Sequence, residues 1–292
     1  MLAKPKVLVV FPLLVLIATA WVLSPVPAFA QSPTKSVREN FAQPDQTIEY
    51  HFMLQVPEVQ EKEMEKIVQS KVIDPLKSIA EIGRLGKPRP GVYVDSRDYA
   101  LDKAYLIVRV RQGQITIKSR AAAPESLIDL EDCGAKKYEM DYFAKPGYSI
   151  SSDIKFKPEE FATTPPAFTV PGLWAFMEKK CPALFGQIQP YLKDAAIEIP
   201  GVATMYGAEI EIKSPSAPKL KEGTLAVWFF PPTDKTLVEF AFTGYNRDRA
   251  DLDKLYAEIM ESVKRAGLLN AEQISKTRQY FKAYWGTLPP TE

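Results

Sequence analysis

Two runs of alternating apolar and charged residues flank Gln112-Gly113 in the stretch 95–120, DSRDYALDKAYLIVRVRQGQITIKSR. This alternation predicts two strands joined by a tight turn, which is a β-hairpin. Side chains alternate along a strand, and directly opposed residues share a face. One face of the hairpin is therefore aliphatic, with Val108, Val110, Ile115 and Ile117. The polar face carries four cations and consists of Arg109, Arg111, Gln114, Thr116, Lys118 and Arg120.

The rest of the chain reads as further strands with helices inserted between some of them. Further strands are predicted at 47–56, 92–95, 136–143, 148–156, 203–213, 225–230 and 236–242. Helices are predicted at 58–82, 173–192, 248–266 and 271–284. Strands in hairpin-like succession predict an antiparallel α+β fold. Because several strands carry charge on one face, these faces either meet water or line the inside of a closed barrel.

The first 30 residues have the pattern of a secretory signal peptide. Lys4 and Lys6 precede an apolar run at 7–23, and Ala28-Phe29-Ala30 has the small-x-small form of a cleavage site. We expect a cut after Ala30 and a periplasmic or secreted mature protein. The alternative is an uncleaved N-terminal anchor, because the apolar run is near the lower limit for crossing a bilayer.

After the cleavage site we expect a flexible leader at 31–45, a single domain at 46–286 and a tail at 287–292. No later apolar run is long enough to span a membrane. The whole chain has 37 Lys and Arg against 36 Asp and Glu. This balance gives no indication of nucleic-acid binding, so any basic site must be a local concentration of cations.

The scarcity of histidine and cysteine excludes several kinds of site. His51 is the single histidine, so a multi-histidine zinc site is impossible, and any Ser/His/Asp triad would need this residue. Cys133 and Cys181 lack the CxxC spacing of zinc and redox motifs. They either form a disulfide or remain buried thiols. A bound metal would be a hard ion such as Mg²⁺ or Mn²⁺, held by oxygen ligands.

The hairpin and its neighbours resemble the CYTH family, also called triphosphate tunnel metalloenzymes. That family couples an Asp-Thr-x-x-x-x-Leu segment to a Leu-Arg-x-Arg strand and a Thr-x-Lys strand. The corresponding residues here are Asp95, Ser96, Leu101, Arg109, Arg111, Thr116 and Lys118. Two later segments are similar to the family's acidic strands, namely Lys137-x-Glu139-x-Asp141 and Val238-Glu239-Phe240-Ala241-Phe242.

The resemblance implies a tunnel-like antiparallel barrel of about eight strands, surrounded by helices, that binds a phosphorylated polyanion. The implied substrate-binding residues are Arg109, Arg111, Lys118, Arg120 and Lys137. The implied metal ligands are Glu49, Glu139, Asp141 and Glu239. If the protein is an enzyme, Mg²⁺ or Mn²⁺ would assist hydrolysis of a phosphoanhydride such as inorganic triphosphate, and no catalytic residue is assigned.

The chain departs from the family pattern at the first strand. The family has Glu-x-Glu-x-Lys there, whereas this chain has Glu49, His51 and Met53. His51 is either a ligand for metal or phosphate, or a hydrogen-bonded structural residue. A literal Glu-x-Glu-x-Lys occurs much later, at 209–213, and is either a solvent-facing alternation or a second source of ligands.

Three functions therefore remain open from the sequence. The first is an exported protein that binds a phosphorylated polyanion and hydrolyses it with a divalent metal. The second is a non-catalytic binding or envelope-interaction module with the same fold. The third is a scaffold-like α+β domain whose resemblance to the family is fortuitous.

Overall fold

The computed structural model describes residues 35–143, 145–163, 167–214 and 218–290. The expected signal peptide and its cleavage site lie outside these residues. Within the described part of the chain, no helix is both long and apolar enough to cross a membrane.

A closed ring of strands forms the centre of the molecule, and we call the space inside it the lumen. The strands are β1 Thr47–Leu54, β2 Ala80–Ile82, β3 Arg89–Val94, β4 Leu106–Arg111, β5 Gln114–Ala121, β6 Ala135–Tyr142, β7 Pro146–Lys155, β8 Ala203–Ile212, β9 Glu222–Phe230 and β10 Lys235–Tyr245. The order around the ring is β8-β3-β4-β5-β7-β6-β1-β10-β9, and β9 pairs back with β8. The short strand β2 pairs with the far end of β8.

The predicted α+β barrel is confirmed, with two differences from the expected form. The ring contains nine strands instead of about eight. Every neighbouring pair of described strands is antiparallel except β1 and β6, which are parallel. The parallel pair joins the first strand of the domain to a strand from the middle of its sequence.

Helices cover the outside of the barrel and one end of the lumen. They are α1 Lys35–Phe41, α2 Glu61–Val68, α3 Asp74–Leu76, α4 Ala100–Lys103, α5 Val170–Lys180, α6 Pro182–Leu192, α7 Arg249–Arg265 and α8 Lys276–Trp285. A π-helical segment, Gln69–Ile73, joins α2 to α3. The helix predicted at 58–82 was too long, because its last residues pair with β8 as strand β2.

Strand β1 shows how the alternating pattern sorts the side chains. Its outward-facing residues are fully or almost fully buried in a hydrophobic cluster outside the ring of strands, which we call the outer core. They are Ile48, Tyr50, Phe52 and Leu54. Helix α7 contributes Leu252, Leu255, Ile259 and Val263 to the same core. Each large apolar side chain buried in this way stabilises the fold by ~1.5–3 kcal/mol. The alternate residues Glu49, His51 and Met53 face inward.

Helices α5 and α6 share a second core with the aliphatic face of the hairpin. Leu173, Met177 and Leu184 of these helices are buried in the same cluster as Val108 and Ile117. The loop that follows β5 is attached to this layer by a disulfide between Cys133 and Cys181, whose Cα atoms lie 5.6 Å apart. The structure therefore selects the disulfide over the free thiols.

Helix α8 closes one end of the lumen with aromatic side chains. Tyr280 and Phe281 are buried in one cluster with the inward-facing Met53, Tyr93 and Trp228. The hydroxyl of Tyr280 also donates a hydrogen bond to the carbonyl of Gly201. This packing brings the first residue of α8, Lys276, to the wall of the lumen.

The stretch 31–45, expected to be a flexible leader, contains α1. Its Val37 and Phe41 are buried in the outer core. The Phe41 ring lies edge to face with Tyr138 and Tyr148, at centroid distances of 5.7 and 5.2 Å. These side chains attach α1 to the barrel.

Candidate functional site

The basic hairpin has the predicted register and faces the lumen. Arg109 pairs with Thr116, and Arg111 pairs with Gln114, across β4 and β5. The cationic face lines an inner cavity of about 220 Å³. A second, outer cavity of about 450 Å³ shares Arg109 and Arg111 with it. The basic face is therefore not a solvated outer surface.

The implied metal ligands come from three strands that meet on the other side of the lumen. In the parallel pair, Glu49 of β1 lies beside Asp141 of β6. On the antiparallel side of β1, Met53 lies beside Glu239 of β10. Glu139 is two residues from Asp141 and shares its face. The pairing of β1 with both β6 and β10 therefore gathers these carboxylates around one strand.

We call the carboxylates of β1, β6 and β10 the acidic wall, and the cationic face of the hairpin the basic wall. Asp141 belongs to the acidic wall and contacts the basic wall. Its Oδ2 lies 3.1 Å from the Lys118 ammonium and 3.0 Å from the Arg120 guanidinium. Burial alone raises the pKa of Asp141, but Lys118 and Arg120 outweigh it and hold the pKa well below its usual range. Asp141 is thus an ionised carboxylate in the lumen, although its side chain is only 1% exposed.

His51 lies between three carboxylates. Its Nδ1 is 2.9 Å from Glu239 Oε1, and its Nε2 is 3.5 Å from Glu49 Oε2 and 3.8 Å from Asp141 Oδ1. The Phe143 ring stacks on the imidazole at 4.1 Å. Burial lowers the pKa of His51, but Glu49 and Glu239 raise it to about 9 overall. In the metal-free protein the imidazole is therefore protonated at neutral pH and balances part of the acidic wall.

Arg109 and Arg111 differ from the other lumen cations because no carboxylate balances them closely. Within the described chain, no carboxylate oxygen lies within 4 Å of either guanidinium, and the buried Nε of Arg109 has no hydrogen-bond partner. Repulsion from Arg109, together with burial, lowers the pKa of Arg111 to about 10. The two neighbouring guanidinium groups form a locally positive part of the lumen.

The same positive potential lowers the pKa of Tyr93. It lies beside Arg109 across β3 and β4 and is 2% exposed. Burial alone raises the pKa of a phenol, yet Arg109 and Lys276 lower the pKa of Tyr93 below its ordinary value. An anion placed between these groups would be stabilised for the same reason.

Lys137 lies at the edge of the inner cavity. Its ammonium is 4.0 Å from Asp153 Oδ2, and its side chain is 55% exposed. The structure therefore brings all five predicted cations to one cavity, with Lys137 at its mouth. Whether these five residues bind substrate stays a prediction.

Sequence reasoning did not identify Lys276 or Asp153. The Lys276 ammonium contacts the buried carboxylate of Glu239, whose register partner on β1 is Met53. Asp153 accepts a hydrogen bond from Thr116, 2.8 Å away. The sequence carried no usable signal for Lys276, because the strand pairing that sets Glu239 beside Met53 joins distant segments.

The late motif at 209–213 stays apart from this cluster. Glu209 and Glu211 are exposed, and Glu209 borders only the outer cavity. The Lys213 ammonium is 3.4 Å from the carbonyl oxygen of Lys77, outside the lumen. The solvent-facing interpretation of this alternation therefore fits the structure better.

Three of the lumen side chains form a group that a divalent ion fits. Glu49, His51 and Asp141 each offer one ligand atom, and the three atoms lie within 4.8 Å of one another. His51 Nε2 and Asp141 Oδ1 are buried and have no hydrogen-bond partner among the described residues. Glu139 and Glu239, which the resemblance also implied as ligands, lie outside this group of three.

Comparison with known proteins shows only weak structural similarity. No protein-family model and no curated protein matches the sequence. A solved structure from Hippeastrum, an adenylyl cyclase candidate described as having a dominant triphosphatase activity, is 12% identical with a TM-score of 0.46, covering 82% of this chain and 97% of its own. An adenylate cyclase candidate from Bacillus halodurans is 11% identical with a TM-score of 0.41, covering 81% and 98%. One from Vibrio parahaemolyticus is 10% identical with a TM-score of 0.35, covering 81% and 97%. The function has to be inferred from the geometry of the lumen.

Proposed function

We propose that this protein binds a short polyphosphate chain, such as inorganic triphosphate or the triphosphate part of a larger molecule, inside the barrel. The observation that carries the proposal is the pair Arg109 and Arg111, which face a cavity without a carboxylate within 4 Å among the described residues. The sequence resemblance to the CYTH family, at the hairpin, supports the same ligand class.

The other cations have a different part in this proposal. Lys118 and Arg120 are already paired with Asp141, so they hold the acidic wall in place and line the cavity. The two guanidinium groups are planar and donate paired hydrogen bonds, which suits the oxygens of neighbouring phosphates. Binding would replace guanidinium repulsion by attraction to the anion.

A second candidate function is hydrolysis of the bound phosphoanhydride. It is favoured by the group Glu49, His51 and Asp141. Glu49 and His51 of this group line the same cavity as the two arginines. A divalent ion held there would supply Lewis-acid polarisation of a phosphoryl oxygen. The chain's own contribution is to hold the polyanion against Arg109 and Arg111 and to shield it from bulk water.

Binding is tested by titration calorimetry with tripolyphosphate, first without metal. Replacing Arg109 by Ala removes a charge-assisted contact, so we expect a loss of about 10- to 100-fold in affinity. Arg265→Ala is the matched control, because Arg265 is an exposed arginine on the outside of α7. Equal affinities for the two variants, or no binding by the wild type, would overturn the proposal.

Hydrolysis is tested separately, by phosphate release from tripolyphosphate with added Mg²⁺ or Mn²⁺. Release that is lost in Asp141→Asn supports an enzyme. Binding without release above background identifies the non-catalytic module, and neither binding nor release leaves the scaffold-like domain.

We also propose that the protein acts outside the cytoplasm. The signal-peptide pattern at 1–30 and the Cys133–Cys181 disulfide both fit an oxidising compartment. Cell fractionation with N-terminal sequencing checks this. Recovery of the chain in the cytoplasm with an intact N-terminus would contradict it.

A further inference from the structure

We propose that Glu49, His51 and Asp141 bind one first-row transition-metal ion in preference to Mg²⁺, with His51 Nε2 as a nitrogen ligand. The proposal deepens the hydrolytic function above by naming its metal. It differs from the sequence expectation of an all-oxygen magnesium or manganese site, because one of the three side chains is an imidazole.

The convergence of the three side chains follows from the strand pairing. Glu49 and His51 are two residues apart on β1 and share its inward face. Asp141 is the register partner of Glu49 across the parallel pair of β1 and β6. Their ligand atoms therefore meet within 4.8 Å without help from any loop.

Two of the three ligand atoms are buried and make no hydrogen bond within the described part of the chain. His51 Nε2 and Asp141 Oδ1 make no hydrogen bond to a described residue, and their side chains are 2% and 1% exposed. A buried polar atom left unsatisfied costs about 1–3 kcal/mol. Both atoms point into the same small space, so one bound ion would satisfy both.

The other atoms of these side chains are already held. Glu239 occupies His51 Nδ1 at 2.9 Å, which leaves Nε2 as the nitrogen that faces Glu49 and Asp141. Lys118 and Arg120 occupy Asp141 Oδ2. The stacked Phe143 ring restricts rotation of the imidazole. A carboxylate behind a histidine and a metal in front of it is the usual arrangement of histidine ligands in proteins.

The donor set decides the class of ion. Mg²⁺ prefers oxygen ligands in an octahedron and retains several waters, whereas an imidazole nitrogen suits zinc, copper, iron and nickel. One nitrogen and two carboxylate oxygens therefore raise the affinity for transition ions more than the affinity for Mg²⁺. His51 is the residue that makes this difference.

The test measures metal binding by the full-length mature protein, stripped of metal and without polyphosphate. Equilibrium dialysis gives the affinities for Mn²⁺, Zn²⁺ and Mg²⁺, and pulsed electron paramagnetic resonance of bound Mn²⁺ detects a coordinated imidazole nitrogen. We expect one equivalent of transition metal and a nitrogen signal. We expect His51→Glu to lose that signal and to lower the Zn²⁺-over-Mg²⁺ preference by about tenfold or more.

Two further variants make the result specific. Glu239→Gln leaves the three ligands intact but removes the carboxylate behind His51, so it should weaken Mn²⁺ binding by about 10- to 100-fold. Glu209→Gln, at the exposed mouth of the outer cavity, is the control and should change nothing. Circular dichroism spectra establish that each variant is folded, and His51→Gln replaces His51→Glu if that variant is not.

Several outcomes overturn the inference. These are no ion bound at the site, a nitrogen signal absent from the wild type, or a metal preference unchanged in His51→Glu. In that case the carboxylates hold only a protonated His51. Because polyphosphate is absent, failure here leaves Arg109-dependent anion binding standing, and failure of anion binding leaves the metal site standing.

Discussion

Replacing Lys276 by Met tests whether the last helix supplies a cation that the first strand lacks. The Lys276 ammonium contacts Glu239, whose side chain is 1% exposed. The other oxygen of Glu239 accepts a hydrogen bond from His51. Burial alone raises the pKa of Glu239, but Lys276 and His51 lower it to about 2, so the carboxylate is ionised. Methionine keeps the length of the side chain and removes its charge.

The expected loss follows from the burial of the pair. Removing one partner of a buried ion pair costs about 3–5 kcal/mol, since the remaining charge stays buried without compensation. Lys276 is 22% exposed, and Glu239 keeps His51. We therefore expect the lower end, about 3 kcal/mol. For a chain of this size that loss lowers the melting temperature by about 6–12 °C.

The measurement is urea and thermal unfolding of the variant beside a matched control on the same helix. Lys282 pairs with Glu272, and these side chains are 35% and 47% exposed. Surface pairs contribute below about 1 kcal/mol, so Lys282→Met should be nearly silent. Adding Glu239→Gln to Lys276→Met should recover part of the loss, because the uncompensated charge is gone. Equal losses for Lys276→Met and Lys282→Met would refute the reasoning.

Three further predictions concern the anion site, the disulfide and pH. Tripolyphosphate at 100 times its dissociation constant should stabilise the wild type by about 2.7 kcal/mol and stabilise Arg111→Ala far less; a thermal shift assay checks this, and equal shifts contradict it. Replacing Cys133 by Ser opens a loop between residues 48 apart and should cost about 4 kcal/mol in urea unfolding without reductant, whereas no loss would contradict a formed disulfide. Burial raises the pKa of Asp95 to about 6 in the folded protein, above the 3.8 of the unfolded chain. Its protonation therefore favours folding below pH 3.8, and this contribution of about 3 kcal/mol is lost as the pH rises through about 6. Asp95→Asn should lack that component of the pH dependence in urea unfolding, and identical slopes would contradict it.

Local pattern was sufficient to predict the hairpin and its polar face. Gly113 has a φ of 78°, which the tight turn requires and which glycine adopts without strain. With the turn in place, the pairing of Arg109 with Thr116 follows from counting along the strands. The alternation then determines which side chains share a face, so the basic wall of the lumen could be predicted residue by residue.

Pairings between distant segments carried no such signal. Nothing in the local pattern of β1 indicates that it pairs in parallel with β6, and this pairing places Asp141 beside Glu49. The helix predicted at 58–82 included β2, because three residues are too few to show a strand period against a helical one. Lys276 reads as an ordinary polar helix residue until the packing of α8 on the barrel is known.

The pairing of distant strands, such as β1 with β6, also determines how late in synthesis the lumen can form. Its charges come from the first strand at Glu49, the middle at Asp141, the last strand at Glu239 and the last helix at Lys276. Folds dominated by contacts between distant segments form slowly, because the connecting chain must be closed first. The hairpin can form as soon as it is made, but the carboxylates opposite it are complete only after synthesis passes Glu239, and Lys276 follows later still. A chain that stops short of α8 would thus carry the whole basic motif and still lack a complete site.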